Sequence, residues 1–182
     1  MGQTFAKEKL FHDIDAGNIT NTSYILEKYP NLVNKYLDAQ QNVLPLTKAI
    51  LNKNFEMFEL LITFKADVNK KTANGYAPIF YACMRGDNRI LQCLVEQHGC
   101  DIFVADSKGF TPLDIAIING YYNCSLFLKR KGLRPKSIDF YALNKEKFVD
   151  YEIDFEWLVL NLEQENEFDD LTANKHIFVQ KK

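Results

Sequence analysis

One pattern of apolar and small residues occurs three times along the chain. It reads Leu44-Pro45-Leu46 with Ala49, Ala77-Pro78-Ile79 with Ala82, and Thr111-Pro112-Leu113 with Ala116. The prolines lie 33 and then 34 residues apart. A proline in the first turn of a helix loses no hydrogen bond, and a small alanine lets a second helix approach closely. The pattern therefore predicts repeated helix pairs that must stack, because one pair alone cannot bury its apolar face.

The copies differ in how completely they keep the pattern. The best one runs from Gly109 to Gly120 and continues into an apolar run, Leu126 to Leu128. A second runs from Gly75 to Asp101, and the copy before it carries the turn Ala66-Asp67-Val68-Asn69. Residues Leu10 to Val33 form a weaker first copy. Four stacked copies are enough for a continuous core, since about three are needed.

These residues resemble the ankyrin repeat family, whose unit is a β-turn followed by two antiparallel helices beginning Thr-Pro-Leu-His-x-Ala. The resemblance covers about residues 8–132. It implies an all-α fold, an ankyrin-type helical solenoid of about four repeats. We expect two regions: the ankyrin repeat domain in residues 1–132, and a C-terminal capping helix with an acidic extended tail in residues 133–182.

Some positions depart from the family pattern. The histidine position holds Thr47, Phe80 and Asp114, so the hydrogen bond that histidine makes in this family is expected to be absent or replaced. Asn42 and Lys53 stand where glycine is expected, and a lysine is strained in the left-handed conformation. An extra residue near 97–99 predicts an insertion in a loop.

The resemblance also implies a concave binding surface made by the turns and the first helix of each pair. Aligned copies place apolar residues there in two rows, with polar residues around them, which is the composition of a binding patch. The alternative is that these apolar side chains are individually exposed and form no binding patch, which is common in soluble proteins. The first row is Val43, Tyr76 and Phe110, the second is Leu51, Met84 and Ile118, and the polar rim is Asn52, Asn74, Arg85, Lys108 and Asn119.

Beyond the repeats, residues 138–147 predict a helix with Ser137 as its N-cap. The next segment alternates apolar and acidic residues, which predicts a strand with one apolar face. An isolated strand is unstable, so this one is expected to lie along the chain's own concave groove or on a partner. A disordered acidic tail is the third alternative. The predicted partner-binding residues of this segment are Tyr151, Ile153, Phe155 and Trp157.

Charge and composition narrow the class of protein. A net charge of -2 and a pI near 5.9 argue against nucleic-acid binding. No stretch approaches the ~20 apolar residues of a membrane span, and Ala6 spoils the lipid-attachment pattern that begins at Gly2. The four cysteines show no metal-binding or disulfide spacing, so buried thiols in a reducing compartment are expected.

No arrangement of residues predicts catalysis or a cofactor. His12, His98 and His176 are far apart in the sequence, and Asp114 is expected to bond backbone amides at a helix start. The sequence therefore predicts a non-catalytic adaptor, or a structural subunit of a large assembly, that binds one or more proteins in the cytoplasm. A cytoskeletal or ciliary location is one candidate that no motif supports. The alternative is a regulatory inhibitor whose acidic tail occupies a basic site on a partner enzyme, and steep salt dependence would distinguish it.

Overall fold

The computed structural model describes residues 2–37, 43–72 and 74–136. These residues form helices joined by turns and loops, without a strand in the described ranges. A 3₁₀ turn at Pro30–Asn34 follows the second helix, and a π-helical turn at Cys93–Gln97 continues the sixth. The helices are α1 Gly2–Asp15, α2 Ile19–Lys28, α3 Pro45–Leu51, α4 Phe55–Thr63, α5 Pro78–Arg85, α6 Asn88–Gln92, α7 Pro112–Ile118 and α8 Tyr122–Arg130.

All eight helices belong to one compact unit, Met1–Pro135. The predicted domain boundary after residue 132 stays a prediction. The predicted helix at 138–147 and the alternating segment that follows it lie outside the described residues. So does Asn42, one of the two residues at expected glycine positions.

Prolines mark equivalent helix starts, as the repeated pattern predicts. Pro45, Pro78 and Pro112 are the first residues of α3, α5 and α7. The weak first copy also forms a helix pair, α1 and α2, although it lacks the proline. The prediction of an all-helical repeat fold is therefore confirmed.

The helices form two rows. Each odd-numbered helix packs on the even-numbered helix that follows it, and α1, α3, α5 and α7 also pack on one another in order. We call these four the inner helices and the others the outer helices. Leu10, Leu46, Ile79 and Leu113 occupy the same position of successive inner helices, and all are buried. Each pair thus buries its apolar face against its neighbours.

A left-handed residue separates the two helices of every pair. Gly17, Gly86 and Gly120 have φ of 70°, 63° and 70°, and Lys53 has φ of 53°. The expectation that Lys53 adopts this conformation is confirmed. A residue with a Cβ is strained there by about 1–2 kcal/mol. Backbone hydrogen bonds from Lys53 N to Ile50 O and from Asn54 N to Ala49 O, both of 3.0 Å, hold this turn in the second repeat.

The outer helices begin with side-chain caps, except for the last. Asn18, Asn54 and Asp87 each accept a hydrogen bond from the amide three residues later, at 3.1, 2.9 and 3.0 Å. Tyr121 occupies the same position before α8 and makes no such bond. Its ring lies against Gly86, where an added Cβ would be 2.3 Å from Tyr121 Cδ1.

The extra residue of the third repeat lies in a helix rather than in a loop. The predicted loop insertion near 97–99 is therefore wrong in its placement. α6 continues directly into the π-helical turn Cys93–Gln97, which holds one more residue per turn than an α-helix. Both Cys93 and Leu94 remain buried. Widening the turn accommodates the insertion while keeping the apolar side of the helix inward.

Candidate partner-binding surface

An aromatic cluster lies at the start of α5, on the inner side of the third repeat. The ring centroid of Tyr76 is 5.4 Å from that of Phe80 and 6.0 Å from that of Tyr81. Phe80 is buried, whereas both tyrosines are half-buried. The cluster therefore joins the core to the surface, with the tyrosines at the boundary.

Thr72 fixes the loop to this cluster. Its amide donates to Tyr76 O at 2.9 Å, and its hydroxyl lies 3.0 Å from Tyr81 Oη. Burial raises the pKa of Tyr81, and the hydrogen bond with Thr72 offsets part of that rise. The phenol is thus held in a fixed orientation. Tyr81 and Arg85 are one helical turn apart and share a side of α5.

A polar contact joins the first two inner helices. Lys48 Nζ of α3 lies 2.7 Å from Asp15 Oδ1 of α1, and Asn52 Nδ2 donates to the same oxygen at 3.1 Å. These hydrogen bonds with Lys48 and Asn52 lower the pKa of Asp15. Lys48 also lies over the ring of Phe11, 4.9 Å from its centroid. Asn52 therefore already has a partner within the chain.

Asparagine side chains connect successive loops. Asn34 Nδ2 donates to Lys65 O at 3.0 Å, and Asn34 Oδ1 accepts from Asp67 N at 2.8 Å. Asn69 Oδ1 accepts from Asp101 N at 2.9 Å in the next pair of loops. Tyr36 Oη also donates to a loop carbonyl, Lys71 O, at 3.2 Å. These bonds hold the loops in register beside the inner helices.

Most of the predicted site residues in the repeats are accessible. They lie on or beside the inner helices, as the alignment of the copies predicts, and their role in binding stays a prediction. Asn52, Asn74, Arg85 and Lys108 are exposed, and Val43, Leu51, Tyr76, Met84 and Asn119 are half-buried.

Two of the predicted contact residues are buried. Phe110 is 1% exposed and Ile118 is 4% exposed, so the expectation that both apolar rows are open across the last repeat is wrong. Asp106 holds the backbone at Phe110, because its carboxylate accepts the Phe110 amide at 2.8 Å and its own amide donates to Phe110 O at 2.9 Å. These two bonds fold the loop back on itself. Ile118 is in the last turn of α7, all of whose residues are buried.

The remaining predicted contact residues are in the C-terminal segment and lie outside the described residues. They are Tyr151, Ile153, Phe155 and Trp157.

The alignment of the copies missed Thr72 and Tyr81. One feature of the sequence could have indicated that Tyr81 lies on the inner side. Tyr81 precedes Arg85 by four residues and stands at the helix position that Lys48 has in α3. Nothing in the sequence pairs Thr72 with Tyr81, because that contact depends on how the loop folds.

Polar groups at the helix starts have structural roles. Asp114 Oδ2 accepts from Thr111 N at 2.7 Å and from Thr111 Oγ1 at 2.8 Å, so its predicted role at a helix start is confirmed. Thr47 Oγ1 accepts from Leu44 N at 3.0 Å and donates to Leu44 O at 2.8 Å, while Phe80 in the same position has only an apolar side chain. The family's histidine bond is thus replaced in two repeats and absent in one.

The four thiols are buried and free, as predicted. Burial raises the pKa of Cys100 to about 12 and that of Cys124 to about 11, and it raises the pKa of Cys83 well above its usual value. A thiolate nucleophile is therefore disfavoured at these positions. Within residues 2–37, 43–72 and 74–136, no group of three His, Cys, Asp or Glu side chains could hold a metal ion. In the same ranges, none of the helices is both long enough and apolar enough to cross a membrane.

Stacked helix pairs with proline-initiated inner helices and linked loops define a helical repeat protein with an accessible inner face. The family model described as ankyrin repeats, in three copies, matches residues 46–139, and the chain belongs to this family. Ankyrin repeats imply protein–protein interaction, and the fold is typically non-catalytic.

Named relatives share the repeats over part of their length. Alpha-latrocrustotoxin-Lt1a of Latrodectus tredecimguttatus is 36% identical over 109 residues, covering 60% of this chain and 8% of the toxin. The Ankyrin repeat and SAM domain-containing protein 6 of Rattus norvegicus is 27% identical over 110 residues, covering 60% of this chain and 12% of the relative. The yeast Target of rapamycin complex 2 subunit AVO2 (Saccharomyces cerevisiae) is 36% identical over 73 residues, covering 40% of this chain and 17% of the yeast protein. The chain thus spans less than a fifth of each relative.

Proposed function

We propose that this chain is a non-catalytic adaptor, or a structural subunit of a larger assembly, that binds protein partners through its inner face and its C-terminal segment. The observation that carries the proposal is the accessible surface of α5, where Tyr76, Tyr81 and Met84 are half-buried beside the exposed Arg85. Such half-buried aromatic and thioether groups next to a cation are typical of the centre of protein interfaces.

The loops support this role because they are already fixed before a partner arrives. The Asn34 and Asn69 side chains hold neighbouring loops together, and Thr72 holds the loop that enters α5. A preorganised surface loses less conformational entropy on binding. One relative is named as a subunit of a complex, which agrees with a place in an assembly.

Crosslinking mass spectrometry on the native complex tests the proposal. We expect crosslinks from Lys70, Lys71 and Lys108, on the inner side, to a different polypeptide. Lys129 and Lys131 at the end of α8 serve as the comparison, and we expect fewer crosslinks from them. Crosslinks spread evenly over all these lysines, or none to another chain, would contradict the proposal.

Two further measurements separate the two proposed contact regions. Tyr76→Ser should weaken partner binding at least tenfold, about 1.4 kcal/mol, with a loss of stability that is small by comparison. Phe110 is unsuitable for this test because it is buried.

For the C-terminal segment, the single tryptophan, Trp157, should be shielded from acrylamide quenching in the intact complex. Full quenching there would contradict binding through this segment.

A further inference from the structure

Charge is distributed unequally between the inner and outer sides of the second, third and fourth repeats. The inner helices α3, α5 and α7, with the loops and turns that flank them, carry a clear excess of cations. The outer helices α4, α6 and α8, with their caps, carry equal numbers of both signs, acids Glu56, Glu59, Asp87 and Glu96 against bases Arg89, Lys129, Arg130 and Lys131. The inner cations are Lys48, Lys53, Lys65, Lys70, Lys71, Arg85 and Lys108, against the acids Asp67, Asp101, Asp106 and Asp114.

The carboxylates of the inner side accept hydrogen bonds from backbone amides. Asp106 and Asp114 are buried, and each accepts at least one amide within its own loop or helix start. Asp67 and Asp101 each accept the amide two residues later at 2.9 Å. Hydrogen bonds of this kind satisfy carboxylates without using a side-chain cation.

Among the described residues, Lys71 and Arg85 are two of the exposed inner cations that make no ion pair. The ion pairs of these ranges engage Lys48 and Lys131 instead. The charges of Lys71 and Arg85 therefore act on whatever approaches this face.

One contact and two sequence neighbours relate these two cations. Lys71 is adjacent to Thr72, whose hydroxyl lies 3.0 Å from Tyr81 Oη, and Tyr81 is one turn before Arg85 on α5. The ring of Tyr76 lies 6.0 Å from that of Tyr81. We call Lys71, Tyr76, Tyr81 and Arg85 the α5 strip. It combines two tyrosine rings with two exposed cations.

We propose that the occupant of the α5 strip is an extended acidic segment of a partner protein, with apolar side chains interleaved among its carboxylates. The inference rests on the proposed function and specifies the chemistry of the partner. Carboxylates would meet Lys71 and Arg85, and apolar side chains would contact Tyr76 and Tyr81. Complementary charge gives such a contact its specificity and a fast association rate. A protein segment is favoured over nucleic acid because the whole chain has a net charge of -2 and a pI near 5.9.

The test uses the full chain and a fluorescein-labelled peptide of alternating Glu and Leu, with binding followed by fluorescence anisotropy. We expect saturable binding that weakens at least tenfold between about 50 and 500 mM salt. The double variant Lys71→Glu/Arg85→Glu should weaken it at least tenfold as well. The control Lys9→Glu/Arg130→Glu changes net charge equally at exposed positions outside the strip, and it should have less than a threefold effect. Circular dichroism should show the same melting temperature for both variants.

Several results would overturn the inference. These are absence of peptide binding, equal weakening by the two double variants, or equal binding of a peptide with Gln in place of Glu. Equally tight binding of single-stranded poly(dT) would assign the strip to nucleic acid instead. If a native partner binds the Lys71→Glu/Arg85→Glu variant as tightly as the unmodified chain, the partner segment is not acidic. The proposal that the chain binds a protein partner would still hold. Absence of any native protein partner would contradict the proposed function itself.

Discussion

The first and third repeats share a backbone but differ in what lies between their two helices. Four residues before the left-handed glycine, the first repeat has Asp13 where the third has Ala82. Five residues after that glycine, it has Thr22 where the third has Leu91. All four side chains are buried. A polar pair thus occupies positions that hold a small and a large apolar residue two repeats later.

The polar pair is poorly satisfied. Asp13 Oδ2 and Thr22 Oγ1 have no hydrogen-bond partner, and Asn21 Nδ2 reaches Asp13 Oδ1 only at 3.5 Å. Burying such groups without partners is unfavourable by about 1–3 kcal/mol each. The other apolar positions of the repeat, including Leu10, Ile14 and Leu26, are fully buried and keep the pair folded. Stacking on the neighbouring repeat therefore keeps this helix pair folded although its sequence pattern is weak.

The largest expected effect comes from truncating the residue five positions after the left-handed glycine, which is Leu91 in the third repeat and Thr22 in the first. Leu91→Ala should lower the free energy of unfolding by about 2–5 kcal/mol, because it removes a fully buried apolar side chain. Thr22→Ala, at the same position of the first repeat, should change it by less than about 1 kcal/mol, because loss of the buried methyl group offsets removal of the unpaired hydroxyl. Urea unfolding followed by circular dichroism measures both. Equal losses would show that the two interiors are equivalent after all.

A smaller difference is expected at the glycines. Gly17→Ala and Gly86→Ala carry the same left-handed strain, about 1–2 kcal/mol. Only Gly86→Ala also places its Cβ against the Tyr121 ring, at 2.3 Å, whereas the nearest atom at Gly17 is Asn54 Nδ2 at 3.1 Å. We expect Gly86→Ala to be the worse variant by about 1–3 kcal/mol in the same measurement. Combining it with Tyr121→Ala should recover most of that difference, and no recovery would show that the clash is not the cause.

The sequence predicted what depends on local spacing and missed what depends on the path of a loop. The helix starts at Pro45, Pro78 and Pro112 follow from the fixed φ of proline, and the strained Lys53 follows from the glycine of the other copies. Phe110 is buried whereas Tyr76, at the same position of the preceding repeat, is half-buried, and the apolar pattern does not distinguish the two.

The same limit applies to the first repeat and to the aromatic cluster. Asp13 is at an alanine position, but its burial is visible only once α2 is packed on α1. The contact between Thr72 and Tyr81 likewise needs the folded loop.

Removing the buried carboxylate should stabilise the first repeat. Asp13→Ala restores the residue type of the third repeat and removes an unpaired oxygen, so we expect a gain of about 1–2 kcal/mol in the free energy of unfolding. Asp13→Asn is the matched control, because it keeps a polar group of the same shape and should give a smaller gain. Urea unfolding measures both variants. A loss of stability in Asp13→Ala would show that the carboxylate has a favourable contact here.

The smallest effect concerns how each repeat is attached to the second one. The first is joined through Asp15 and Lys48, whereas the third is joined through Arg89, which lies 3.5 Å over the ring centroid of Phe55. The pKa of Asp15 is lower in the folded chain than in the unfolded one. Its contribution to the free energy of unfolding is therefore complete above the unfolded-state pKa of about 3.9, and it is lost as the pH falls through the folded-state pKa.

Because Asp15 is largely exposed, solvent screens the pair, and Lys48→Met should lose at most about 0.5 kcal/mol at pH 7 and low salt. The difference between Lys48→Met and the unmodified chain should vanish as the pH falls below the folded pKa of Asp15. The corresponding difference for Arg89→Met should remain over the same range. Urea midpoints between about pH 7 and pH 2.5 measure both, and a pH-independent effect of Lys48→Met would mean that its contact with the Phe11 ring matters more than its charge.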